Sequence, residues 1–376
     1  MTTPRDPPRD GPSPDVDVNP RNPTDTQEPA VPPEWDRVAA AVDRMPSTGE
    51  GPGDEFSSGG RLTGGAATRF GDRLFRGMSF GSAAFVLLLM AAIAVFLIWK
   101  AIPALNANEA NFFSYEQWFP NNTPPMFGIA ALAFGTIATS ILAVAISVPV
   151  AVGVALFISN YAPRRVAQGL GYIVDLLAAV PSVVYGLWGY IYLNSHIKDT
   201  SAFLDKYFGW TVILSSKSGV GPYGRSILLA SVVLAIMILP IVAAISREVF
   251  LQVPTDHKEA ALALGATRWE MVRAAVLPYG RPGVISATML GLGRALGETI
   301  AVAMVLSATF TIDWHFLDPG GNTIAANIAN QFAEANDTGR GALIASGLVL
   351  FVITLVVNFG ARWIIARRRE FSGAAA

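Results

Sequence analysis

Arg294 and Glu298 are ionisable residues set inside an otherwise apolar stretch, 284–310. Their four-residue spacing puts both on one face of a helix. On insertion scales a charge at the centre of a membrane helix costs about 2.5–3.5 kcal/mol, so such residues face a cavity or each other. Two readings follow. The arginine fork can bind an oxyanion, or the two charges form a structural pair in which each neutralises the other. Thr299 adds a hydroxyl directly after the carboxylate. Gly293 and Gly297, also four apart, have the small-residue spacing that lets a second helix come close.

A second constellation runs from 259 to 278. Glu259, Ala260 and Ala261 open an alanine-rich helix former that reaches Leu264. Gly265 permits a sharp exit with positive φ. A second short helix is expected over 268–276, and Leu277 and Pro278 close the segment. Two short helices joined at a glycine make a rigid protrusion, which can pass force from a soluble partner to the next apolar stretch. The alternative is an ordinary amphipathic loop. Weaker candidates for lining a path are Pro181, Ser182 and Tyr185, while Asp175 reads as an interfacial structural charge.

Other chemistries find no support. The 376 residues include no cysteine, and His196, His257 and His315 have no metal-ligand spacing, so neither a catalytic nor a metal site is expected. The stretch 219–226 approximates a P-loop, but Arg225 replaces the required lysine and no strand precedes it. Gly291, Gly293 and Gly297 miss the dinucleotide-binding spacing. A formal net charge of −1 argues against nucleic acid as a partner.

The elements that must position these residues are membrane spans. Only 15% of residues are charged and 52% are hydrophobic, against about 25% charged in soluble domains. A bilayer core about 30 Å thick needs about 20 apolar residues. Six stretches qualify: 80–102, 127–158, 170–193, 226–245, 284–310 and 342–365. Pro149, Pro181 and Pro240 lie inside three of them and predict kinks whose freed carbonyls need partners from neighbouring helices. Arginine and lysine concentrate before the first stretch, at 164–165, at 247–281 and at 367–369, which predicts cytoplasmic termini. Residues 1–60 are rich in Pro, Asp, Gly and Ser and read as a disordered tail, with no leader peptide expected. Residues 61–78 read as a basic amphipathic lead-in at the lipid surface or as a solvated approach to the first span. The six-span domain is expected over 79–368, with the cytoplasmic loop at 247–282 and a short tail at 369–376.

The segment 259–278 resembles the EAA loop of ABC importer permeases: Glu-Ala-Ala, three residues, Gly, nine residues, Ile, one residue, Leu-Pro. The spacing matches in full, with Ala275 where the pattern prefers Ile. Arg-Ala-Leu-Gly-Glu-Thr-Ile-Ala-Val (294–302) and Ala-Val-Pro-Ser-Val-Val-Tyr-Gly-Leu-Trp-Gly (179–189) resemble signatures of the PstC family of phosphate ABC transporter permeases, within the binding-protein-dependent, MetI-like permeases. Thr299, where related sulfate permeases place Phe, and the Ile-Ala-Val that follows, where the companion PstA family has a Pro-containing run, agree with that family. The resemblance covers 70–368. It implies an all-α, six-span type I importer fold in the cytoplasmic membrane, and a pairing with a PstA-like second permease. It also implies two PstB-like ATPase subunits and a PstS-like phosphate-binding protein outside. Phosphate would be the cargo and lipids the surroundings. ATP and Mg would belong to the ATPase, with no cofactor on this chain. The family assigns its Arg and Glu to phosphate passage, which map onto Arg294 and Glu298, and its loop to ATPase docking. The stretch around Arg225 would then face the delivered anion or the binding protein. A permease for sulfate or molybdate, and an ion-coupled secondary transporter, remain as rivals at this stage.

Overall fold

The computed structural model describes residues 66–217 and 223–372. The expected tail at 1–60, the opening of the lead-in, the first half of the P-loop-like stretch and the last four residues lie outside the described set. Contacts divide the chain between Ser79 and Phe80, and all helix packing discussed belongs to the second side.

Helix α1, Ala66–Ala107, runs without interruption where a separate lead-in and a first span were expected. No residue in its most apolar window is buried; Phe85, Leu87, Val95 and Trp99 are all open. Lipid tails can solvate such a surface, whereas water would not. Its end docks through Ala104, against which Gly341 fits so closely that a Cβ there would stand 2.7 Å from the Ala104 methyl. A two-residue hairpin follows, β1 Trp118–Phe119 and β2 Met126–Phe127. Asn108 ties it back by bonding both the N–H and the C=O of Phe127.

The bundle is built around α6, Ile227–Leu251. Leu229, Leu234, Ile238 and Val242 on it are wholly buried. Helix α2, Ala130–Leu156, lies against it and extends through a wide π-type turn, Phe157–Tyr161. Pro149 in α2 and Pro240 in α6 are carried inside continuous helices. Helix α9, Leu277–Leu296, crosses the same centre through a seam of small residues. Gly280 faces the Phe250 ring, Gly283 faces Val249 and Gly291 faces Val242. In lipid no hydrophobic force presses helices together, so this close fit is what holds α9 on α6. The pair expected to make such a seam, Gly293 and Gly297, does not: a Cβ on Gly293 would meet nothing, and one on Gly297 would meet only nearby backbone of its own chain.

Two expected spans are not single helices. The third, 170–193, is α3, Arg164–Ala178, followed after a break by α4, Ser182–Trp188. A wide turn, Gly189–Leu193, then carries α4 into α5, Asn194–Phe208. The two halves bend by 88°. Pro181 therefore ends a helix instead of kinking one, because it cannot donate and disfavours helical backbone before it. The fifth, 284–310, is the end of α9, a break, and α10, Ile300–Val305. Between α6 and α9 lie α7, Thr255–Ala263, and α8, Arg268–Met271. The chain ends in α11, Ile324–Gln331, and α12, Asp337–Ser372, which runs through the expected boundary at 368. Among the described residues four helices are long and apolar enough to cross a membrane, or five if the bent pair counts as one span. The expected span at 284–310 is not among them as a single helix, because α9 and α10 are separated by the break at 297–299.

Candidate functional site

The two helices that follow the breaks meet. Gly186 on α4 packs so tightly on α10 that an added Cβ would stand 2.7 Å from the Ala301 Cα and 3.1 Å from the Met304 Sδ. No side chain larger than hydrogen fits without moving one of the two segments.

On the α3–α4 side, Pro181 has no N–H for the carbonyl four residues back, which belongs to Leu177. The Tyr185 hydroxyl donates to that same carbonyl at 2.9 Å, and the Val180 N–H donates to it at 3.2 Å. One proline thus creates the need, and a tyrosine four residues later meets it. Ser182 begins α4, and no side chain caps its first turn.

On the α9–α10 side, Arg294 occupies the last turn of α9, which ends at Leu296 with Gly297 as its cap. Glu298 lies beyond that end. Its Oε1 accepts the Ala301 N–H at 3.3 Å, so the carboxylate serves the first turn of α10, where a negative charge is favoured. Thr299 donates its hydroxyl to the Gly297 carbonyl at 3.2 Å. The expectation that Arg294 and Glu298 share one helix face is therefore corrected, and the alternative of a structural pair between them is not what forms. Among the described residues the ion pairs are Lys217–Asp313 and Arg247 with Asp175 and Glu248, and the His315 ring hydrogen-bonds Asp313. Arg294 is half-buried, within electrostatic reach of Tyr185, and forms no ion pair among the described residues. Asp175, read as a structural charge, does hold Arg247, at 3.5 Å.

The second constellation forms the protrusion expected of it, with better-defined joints. Helix α7 starts at Thr255, earlier than expected, and includes Glu259, Ala260 and Ala261. Gly265 adopts φ +85°. Its N–H donates to the Leu262 carbonyl at 2.9 Å, and the Ala266 N–H to the Ala261 carbonyl at 3.2 Å. This paired closure satisfies carbonyls that a helix end leaves open. Thr267 then caps α8: its hydroxyl accepts the Glu270 N–H, and the Glu270 carboxylate accepts the Thr267 N–H at 2.8 Å. These bonds hold the Glu270 carboxyl below its usual range, the backbone bond contributing most. The Thr-x-x-Glu signal stood in the sequence at 267–270 and would have located this cap.

The protrusion is rooted by one face and open on the other. Met271, Val272 and Val276 join Phe250 and Val253 in a buried cluster on which Ala261 and Leu277 pack. Glu259 and Ala260 are exposed, Leu264 is 90% exposed and Trp269 56%. The expected second helix, 268–276, is α8 plus a wide turn, Val272–Val276, which runs into α9 at Leu277 and Pro278. The protrusion is thus continuous with the helix that carries Arg294, about 25 Å of α9 lying between Leu277 and Arg294.

Residues 147–370 match the family model described as binding-protein-dependent transport system inner membrane component. A phosphate transport system permease protein PstC 2 of Mycobacterium tuberculosis is 46% identical over 297 residues, covering 78% of this chain and 91% of that protein. A PstC of Xylella fastidiosa is 39% identical over 303 residues, covering 80% and 93%. A solved bacterial ABC transporter involved in import of the acidic polysaccharide alginate is 18% identical, covers 78% of this chain and 99% of its own, and has a TM-score of 0.46.

Proposed function

Since the chain belongs to the family of binding-protein-dependent transport system inner membrane components, we propose that it forms part of the membrane path of an ATP-driven importer of inorganic phosphate. The cargo comes from the names its relatives carry. The geometry that supports the reading is Arg294, a half-buried guanidinium at the end of α9, within electrostatic reach of Tyr185 on the facing α4 and without a carboxylate partner among the described residues. A guanidinium fork matches the oxygens of phosphate.

The remaining parts follow from this assignment. Thr255–Ala263, with Glu259, Ala260 and Ala261 on it, docks into an ATPase subunit, and Gly265 fixes the angle at which the docked helix turns back. Leu277 and Pro278 pass that motion into α9, whose far end carries Arg294. Glu298 and Thr299 hold the break open beside it, and Pro181, Ser182 and Tyr185 shape the facing break. The chain pairs with a PstA-like permease, binds two PstB-like ATPases at the cytoplasmic face and receives phosphate from a PstS-like protein outside. ATP and Mg act in the ATPase. Both termini lie in the cytoplasm.

The test is uptake of labelled phosphate by cells carrying Arg294→Ala or Glu298→Gln, with membrane levels matched. Arg294→Ala is expected to abolish accumulation, and Glu298→Gln to weaken it by loosening the first turn of α10. Wild-type uptake in both variants would end this assignment.

A further inference from the structure

Helix α10 has a second arginine at its other end. The Arg225 guanidinium donates through Nη2 to the carbonyl of Leu306, the residue that caps α10. It lies over the Tyr190 ring, 5.7 Å from the centroid. Arg225 stands just before α6, so the 25 residues of that helix, about 37 Å, separate it from the end near the ATPase-docking loop.

The surroundings of Arg225 are rich in carboxylates that are all engaged elsewhere. Asp205 accepts the Tyr223 hydroxyl at 2.8 Å and the Ser216 N–H at 3.1 Å. Asp318 accepts the Ser216 hydroxyl at 2.7 Å and the Lys217 N–H at 3.1 Å. Asp313 holds the Lys217 ammonium at 2.7 Å and His315 at 2.8 Å. These bonds knit two loops into a cap, with the Gly320 N–H on the Arg225 carbonyl and the Phe316 N–H on Ile213. None of these carboxylates comes within 4 Å of the Arg225 guanidinium, and residues 218–222, beside it in sequence, contain no Asp or Glu.

A half-buried cation without a counter-charge is costly, and a carbonyl with a ring face neutralises only part of it. The guanidinium has five N–H donors; among the described residues one has an acceptor, the Leu306 carbonyl, and the buried Nε has none. Such a site suits an oxyanion that comes and goes.

We propose that Arg225 is a second oxyanion station, at the end of the bundle opposite the docking loop, which takes up phosphate before it reaches Arg294. The six residues of α10, about 9 Å of helix, would then be bracketed by two guanidiniums that the cargo visits in turn. This rests on the phosphate reading above.

The experiment uses the assembled transporter in proteoliposomes, with inorganic phosphate supplied on the binding-protein side. Arg225→Gln is expected to raise the phosphate concentration for half-maximal uptake about tenfold, and Arg225→Lys, which keeps the charge, to recover most of it. In the wild-type complex, inorganic phosphate is expected to slow phenylglyoxal modification of Arg225, read by peptide mass spectrometry; this arm needs no variant to fold. A residue that only capped α10 would lower the maximal rate, leave half-saturation unchanged and gain nothing from lysine. That pattern, or labelling indifferent to saturating phosphate, would overturn the proposal. A wild-type complex unable to take up phosphate would count against the cargo itself, whereas normal uptake with unshifted half-saturation in Arg225→Gln counts against Arg225 alone.

Discussion

Gly186→Ala tests whether contact between the two broken spans governs transport. The new Cβ would stand 2.7 Å from the Ala301 Cα and 3.2 Å from its Cβ, whereas carbon atoms rest at about 3.5–4.0 Å. The shortfall is about 1 Å, and the nearest atom is backbone, which cannot swing aside as a side chain could. Either α4 or α10 must shift. Overpacking of this size costs about 1–3 kcal/mol, offset by up to about 1 kcal/mol of better helix propensity, so the chain should still reach the membrane. A shift of α10 moves Glu298 and the break beside Arg294. Phosphate uptake is therefore expected to fall at least tenfold at matched protein level. Gly153→Ala is the control: it sits inside α2, where an added Cβ meets nothing within 4 Å, and uptake should stay at wild type. Full uptake by Gly186→Ala at normal abundance would refute the reasoning, because the two breaks would then work without their close approach.

Two further expectations follow. At Gly265 the obstacle is backbone conformation alone, since φ is +85° and nothing crowds the position; Ala costs about 1–2 kcal/mol there and a β-branched residue more. Co-purification of the ATPase should decline in the order Gly, Ala, Val, and equal recovery with all three would separate the glycine turn from docking. In the cap, burial first and then the bond and charge of Asp205 push the Tyr223 hydroxyl from 10.0 up to about 12. A raised folded-state value means that this bond contributes fully below about pH 10 and is lost as pH rises towards 12. Tyrosinate absorbance should show a late-titrating group that disappears in Tyr223→Phe, and an unchanged titration curve would contradict the Tyr223–Asp205 bond.

Much of this protein was legible along the chain. Apolar runs long enough for a bilayer mark the spans, because the length requirement is set by the membrane and not by neighbours. The turn at Gly265 was legible too, since positive φ is a local property of one residue. What could not be read locally was where backbone groups in lipid find their partners. Whether Pro181 kinks or ends a helix depends on whether its orphaned carbonyl is met within the helix or by a turn, and here Tyr185 and an 88° bend decided it. Arg294 and Glu298 looked like helix neighbours by spacing, yet the break at Gly297 hands Glu298 to α10 and leaves Arg294 without an ion-pair partner among the described residues. The glycines at 280, 283 and 291 form the seam and those at 293 and 297 do not, because a small residue becomes a contact only when another helix occupies the space before it. Apolarity, reach and turn chemistry thus belong to the sequence alone. Which charge stands uncompensated, and against which helix end, belongs to the tertiary structure, because in a medium without water each polar group must be satisfied by whatever the fold brings next to it.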